Sequence, residues 1–197
     1  MSPRKDGDTV EAAVAQAFVE TRSEDPEAVS AREVARARLA AGAKLKSLRR
    51  LRLFELAGAL PARRELEDLF HRSTWFYNPA KERCTVRATG ADAAPFSEKE
   101  ALVLVVDRGL ERRAPAERWW RHETGSQVEV REGVVWALGF EPGADAAREA
   151  ASLAAVTDRA HGLLANPHFQ AWSASAGVHP PWPWFTAPKR RAPKGDA

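Results

Sequence analysis

A chain of 197 residues with 44% hydrophobic residues is long enough for one domain with extensions or two very small ones, and its single cysteine, Cys84, excludes an internal disulfide or a cysteine-rich zinc site. The longest apolar run, Ala101 to Val106, is far short of the ~20 residues of a membrane helix, and "MSPRKDGDTV" has no apolar signal region, so the expectation is a cytoplasmic globular protein with no membrane partner. Lys189, Arg190, Arg191 and Lys194 against Asp196 account for the whole formal net charge of +3, which leaves a neutral body and argues against a large phosphate-binding face.

Residues 9–43 are rich in alanine, glutamate and arginine and predict two helices, broken at "SEDPE", where Asp25-Pro26 suits a helix start. Their apolar positions (Val10, Val14, Phe18; then Val29, Val34, Leu39) form a thin stripe, so residues 1–46 read as a helical extension loosely tied to the rest. From Ser47, "LRRLRLFELAG" alternates and then shifts phase at Phe54, which predicts a strand with an irregularity. Pro61 suits a first helical turn, and Leu66, Leu69, Phe70, Ser73 and Phe76 follow at helical spacing until Asn78-Pro79 stops the helix and "ERCTVRA" runs on as a strand.

The middle is β-rich. "ALVLVVD" (101–107) predicts a buried strand, and "QVEVREGVVWALGF" a hairpin turning near Glu132-Gly133, with Val134, Trp136, Leu138 and Phe140 on a bulky core side. "GLERRAPAERWWRHETG" between them is open to three readings: loop, short helix or extended arm. A last helix is predicted from Ala146, with Leu153, Val156, Ala160, Leu163 and Leu164 on one stripe, stopped by Asn166-Pro167 before a final strand. The two Asn-Pro stops are 88 residues apart. Strand, helix, strand on either side of a β-rich middle predicts an α+β fold: a ferredoxin-like, split βαβ sandwich over residues 47–175, with an antiparallel sheet. Residues 176–197 read as a Pro/Trp-rich basic tail.

Few residues suggest chemistry. His161 and His168 straddle the Asn-Pro stop and cannot share a helical face, and no HExxH, GxSxG, GxxxxGK[ST] or GxGxxG is present, so no catalytic residue, cofactor or metal is expected. Cys84 falls in a predicted strand and reads as a small buried hydrophobe. His122, beside Trp119 and Trp120, is the best candidate for a tuned acid or base in an aromatic pocket, against the plainer reading of tryptophans packed over a sheet. Trp75, Trp136 and Trp172 fall on predicted core or near-core positions. Trp182 and Trp184, in "HPPWPWF", must lie over the chain's own body or dock into a partner's groove, because an extended Pro-Trp segment cannot bury itself.

At "LLANP" (Leu163 to Pro167), with "GVVWALGF" and an acidic helix before it, the chain resembles the small subunit of phosphoribosylformylglycinamidine synthase over about residues 133–175. A looser echo runs from "LRLFELAG" through "WFYNPAKERCTVR". The family's glycine-containing Asp-Pro turn has no counterpart here. The resemblance implies a non-catalytic accessory subunit in purine biosynthesis that self-associates through its sheet and bridges the synthetase and glutaminase subunits. Asn78, Pro79, Asn166, Pro167, Trp119, Trp120, His122, Trp182 and Trp184 are then the candidate interaction residues. Two alternatives stand beside it: a nucleic-acid-binding module using the sheet and the basic tail, and a small-molecule enzyme with its pocket at Trp119, Trp120 and His122.

Overall fold

The structure is a computed structural model that describes residues 13–176 and 180–185. Its first element corrects the expectation for the N-terminal segment: Ala13–Thr21 is a strand, β1, rather than a helix. Ala15, Ala17 and Val19 alternate with Gln16 and Phe18, and all five are buried because β1 is covered on both faces. Alanine favours helix only until the sheet offers a slot for a small side chain, and tertiary context then overrides propensity. The predicted extension is thus partly sheet.

Helix α1 (Pro26–Arg38) starts where expected, with the Asp25 carboxylate accepting from the Glu27 amide and Pro26 in the first turn. Its buried side is Ala28 and Ala35, while Val34 is 39% exposed, so it packs through alanines and not through the predicted valine stripe. A 3-10 turn at Ala41–Lys44 leads to β2 (Leu45–Gly58). The irregularity in β2 lies at its start, between Leu45 and Ser47, and not at Phe54. The phase shift in the sequence arises because Leu51 and Leu53 are buried on one face while Phe54 and Leu56 are buried on the other.

Helix α2 (Arg63–Arg72) ends six residues before Asn78, so Ser73 caps it and Phe76 enters the core from a loop. Strand β3 (Glu82–Arg87) closes the first half, and β4 (Glu100–Asp107) opens the second. The ambiguous segment forms helix α3 (Ala114–Thr124), capped by Gly125 at φ 71. The predicted hairpin is instead one unbroken strand, β5 (Val128–Phe140), that passes straight through Glu132-Gly133. Helix α4 (Ala146–Ala154) starts at the Asp145 cap but stops well short of Asn166. Val156 to Leu164 is not its continuation: Leu163, Leu164 and Ala165 fold back and donate amides to the carbonyls of Leu153 and Ala154, satisfying the open helix end. Strand β6 (Gln170–Ala176) completes the sheet.

The fold is α+β, with a six-stranded sheet in the order β3-β1-β2-β5-β4-β6 in which every neighbouring pair is antiparallel. β2 and β3, joined through α2, run parallel with β1 between them; β5 and β6, joined through α4, run parallel with β4 between them. Each half is therefore a βαβ unit split by a third strand, and the halves meet at β2 and β5 about a topological two-fold. The four helices among the described residues lie on one face. α1 and α4 cover Leu48, Val103, Trp136 and Leu138, while α2 and α3 cover Ala17, Phe54, Leu56 and Val130. The opposite face buries Phe18, Leu51, Leu53, Leu102, Leu104, Val135 and Ala137 under Phe96, Trp184 and Phe185. No helix among the described residues is long and apolar enough to cross a membrane.

Both Asn-Pro pairs sit in loops leading into the edge strands, and they are built alike. The Asn78 carboxamide oxygen accepts from the Ala80 amide at 3.0 Å, and that of Asn166 accepts from the His168 amide at 3.0 Å. The Asn78 carbonyl accepts from the Glu82 amide at 2.8 Å, as the Asn166 carbonyl does from the Gln170 amide at 2.8 Å. The loop closes from the other side as well, since the Asn78 amide donates to the Glu82 carboxylate and the Asn166 amide to the Gln170 side chain. The pairs start strands; they do not stop helices.

Candidate interaction site on the helix-free face

With the helices on one side, the centre of the other face is apolar and its first half carries a polar row. Strand register places Arg87 on β3 opposite Gln16 on β1, and Gln16 opposite Glu55 on β2. Gln16 and Arg87 are 0% exposed and Glu55 is 5% exposed. Groups so buried must find partners. Arg87 donates to the Gln16 carboxamide oxygen at 2.7 Å and to the carbonyls of Gly90 and Asp92. Gln16 in turn donates from Nε2 to Glu55 Oε2 at 2.9 Å.

The rest of the row is satisfied by the segment 180–185, which crosses this face. Glu55 Oε2 accepts from the Trp184 amide at 2.7 Å, and Oε1 accepts from the Phe185 amide at 3.2 Å. Gln16 Nε2 also donates to the Pro181 carbonyl at 3.0 Å. Side chains fix the position further. The Arg87 guanidinium lies 5.1 Å from the Trp182 ring centre, Trp184 Nε1 donates to Ser173 Oγ at 2.9 Å, and Phe185 sits over Gly133. A Cβ on Gly133 would be 3.2 Å from the Phe185 ring and 2.9 Å from Leu104. This glycine marks a close approach inside a strand, although its sequence context reads as a turn. Residues 180–185, the "PPWPWF" part of this segment, thus lie over the chain's own body.

Burial raises the Glu55 pKa above its ordinary 4.5, against the lowering effect of its three N–H donors. Desolvation likewise lowers that of Arg87. Both Glu55 oxygens are occupied by N–H donors, so the carboxylate acts as a receptor for two successive backbone amides. Open clefts flank the segment. One, of about 670 Å³, is bounded by Ala13, Glu55, Ala88, Gly90, Trp182 and Phe185; the other, of about 400 Å³, by Leu104, Val106, Trp172, Ser173 and Phe185.

The other candidates fall elsewhere. Trp120 is fully buried against Phe70 and Phe76, Trp119 stacks edge-on with Phe76, and His122 is exposed on α3, so the three do not line a common pocket. Residues two apart on a helix point about 200° from each other. Trp136 is in the core as expected, but Trp75 and Trp172 are 48% and 40% exposed, Trp75 in the loop after α2 and Trp172 on edge strand β6. Cys84 packs against the α2 and α3 core, where burial pushes its thiol up to about 12. Among the described residues no group of three or more His, Cys, Asp or Glu could hold a metal. On the helix-free face Arg49 pairs with Glu20 and Glu100, and Arg131 with Glu129. The basic run at 189–194 lies outside the described residues.

Sequence reasoning missed Gln16, Glu55 and Arg87. The usable signal was Glu55, a lone carboxylate between Phe54 and Leu56 in an otherwise apolar stretch of strand. No family model, no curated protein and no solved structure matches the chain.

Proposed function

We propose that this chain is a non-catalytic, protein-binding accessory subunit, and that its role is of the kind played by the small subunit of phosphoribosylformylglycinamidine synthase. One observation carries the binding reading: among the described residues the four helices pack on one face, and the apolar centre of the other is covered by Phe96 and by an irregular segment, 180–185, held through its backbone. A face of that kind is built to lie against polypeptide. The purine role rests on the "LLANP" resemblance, whose residues here serve the fold: Leu163 and Leu164 pack against the α1 and α4 core, and Asn166-Pro167 shapes the loop that leads into β6. Because one chain joins both halves at β2 and β5, the outer strands of the sheet among the described residues are β3 and β6, where self-association would add strands.

The test is reconstitution. Purified synthetase and glutaminase subunits are mixed with the full chain and resolved by size exclusion with light scattering, alongside glutamine-dependent synthase activity. A ternary complex that needs this chain for glutamine-driven turnover is the expected result. No complex with either subunit would remove the purine role.

A further inference from the structure

The face that holds residues 180–185 has the design of a peptide site. It offers a carboxylate to two successive amides, an amide donor to one carbonyl, a guanidinium beside a glycine for a flat ring, and a serine for an indole N–H. The backbone contacts set chain direction without regard to sequence, whereas the ring contacts select aromatic residues between prolines. The occupant is short and irregular, makes no strand pairing with the sheet, and leaves an open cleft on each side. Its anchor, Glu55, is a carboxylate whose burial opposes ionisation, so cover over this site carries an opposing desolvation term.

Resting on the protein-binding reading above, we propose that this face is the docking site for an extended proline-aromatic segment of a partner protein. Residues 180–185 are its intramolecular competitor. The chain's own segment defines the partner's chemistry: two consecutive free amides, a carbonyl three residues before the first of them, and aromatic rings next to proline, as at Pro181 to Phe185. A tethered competitor acts at an effective concentration up to the millimolar range, so a free segment meets the uncovered face only when the tether is weakened or the partner binds more tightly.

The probe is a fluorescein-labelled peptide of residues 179–186 with blocked ends, titrated by anisotropy into three forms of the full chain. These are wild type, the double variant Trp184→Ala/Phe185→Ala, and Trp182→Ala. The last takes from the tethered segment alone the ring that lies 5.1 Å from the Arg87 guanidinium, and it leaves the face that receives the probe unaltered. Both variants are expected to bind at least tenfold more tightly than wild type, and Glu55→Ala added to either should abolish the gain. Peptide affinity unchanged in both variants, with circular dichroism showing them folded, would overturn the proposal. So would a wild-type dimer that becomes monomeric in the double variant, because the occupant would then be a second copy's tail. In the reconstitution assay, a ternary complex indifferent to both variants would sink this inference and leave the protein-binding reading standing, whereas loss of the complex in wild type would bear on that reading alone.

Discussion

Replacing Glu55 by glutamine tests whether the segment 180–185 buries this carboxylate. At neutral pH the substitution removes charge-assisted bonds worth about 1.5–3 kcal/mol each and turns an NH₂ group toward at least one of the donors from Gln16, Trp184 and Phe185. It also removes a desolvation term of several kcal/mol, so the two effects largely cancel and stability at one pH decides little. The pH dependence does decide. Glu55 has a folded pKa raised above 4.5, and between 4.5 and that raised value the unfolded chain has released the proton while the folded chain keeps it. Raising pH through that window therefore favours unfolding. The contribution is fully present below 4.5 and lost as pH rises through the folded value, with a slope of up to about 1.4 kcal/mol per pH unit. Urea unfolding followed by far-ultraviolet circular dichroism from pH 4 to 8 gives ΔG for wild type and Glu55→Gln, and other titrating groups cancel in the difference. Wild type minus variant should fall with pH across the window and then level off. In the Trp184→Ala/Phe185→Ala background the fall should shrink or vanish. A difference that is flat or rises with pH in the wild-type background would refute the burial argument.

Three further outcomes are expected. Phe76→Ala should lose about 3–5 kcal/mol in urea unfolding, because the ring is fully buried and meets Phe54, Phe70, Trp119 and Trp120 edge-on; a loss under ~1 kcal/mol would mean the α2 and α3 core is not packed as described. Asn78→Ala and Asn166→Ala should each lose about 1 kcal/mol and match one another within a few tenths, since each removes the same side-chain bond to an amide two residues on; markedly unequal losses would break the equivalence of the two loops. With its thiol pushed up to about 12, Cys84 should react with iodoacetamide at pH 8 roughly a hundredfold more slowly in the native chain than in urea, and equal rates would show the thiol to be accessible.

What the sequence made legible follows the physics of each element. The α+β class could be read because β2, α2 and β3, then β5, α4 and β6, each occupy a separate stretch with its own period, and the Asn-Pro loops punctuate both. β1 was unreadable as a strand because its alanines score as helix, and only the slot between β2 and β3 makes small side chains an advantage there. Gly133 reads as a turn beside Glu132 but serves the approach of Phe185, a contact across 52 positions that no local window contains. The site was hidden for the same reason. Gln16, Glu55 and Arg87 become a row only through the registers of β3, β1 and β2. Trp182 and Trp184 could be singled out because a Pro-Trp segment needs external cover wherever it goes.

The sheet's own symmetry explains why the site lies where it does. The positions equivalent to Arg87, Gln16 and Glu55 in the second half are Ser175, Leu102 and Ala137, which register aligns across β6, β4 and β5 in the same way. Topology repeats between the halves, and so does the Asn-Pro loop, yet the polar row does not. An unmarked two-fold face would accept an extended segment in either of two equivalent orientations. Placing the paired acceptor and the amide donor in one half only leaves a single orientation in which two amides reach Glu55 while a carbonyl reaches Gln16. The apolar half then supplies contact area through Leu102, Leu104 and Val135, and Ser173 fixes the indole. Direction comes from the half that lost its symmetry, and affinity from the half that kept an ordinary core.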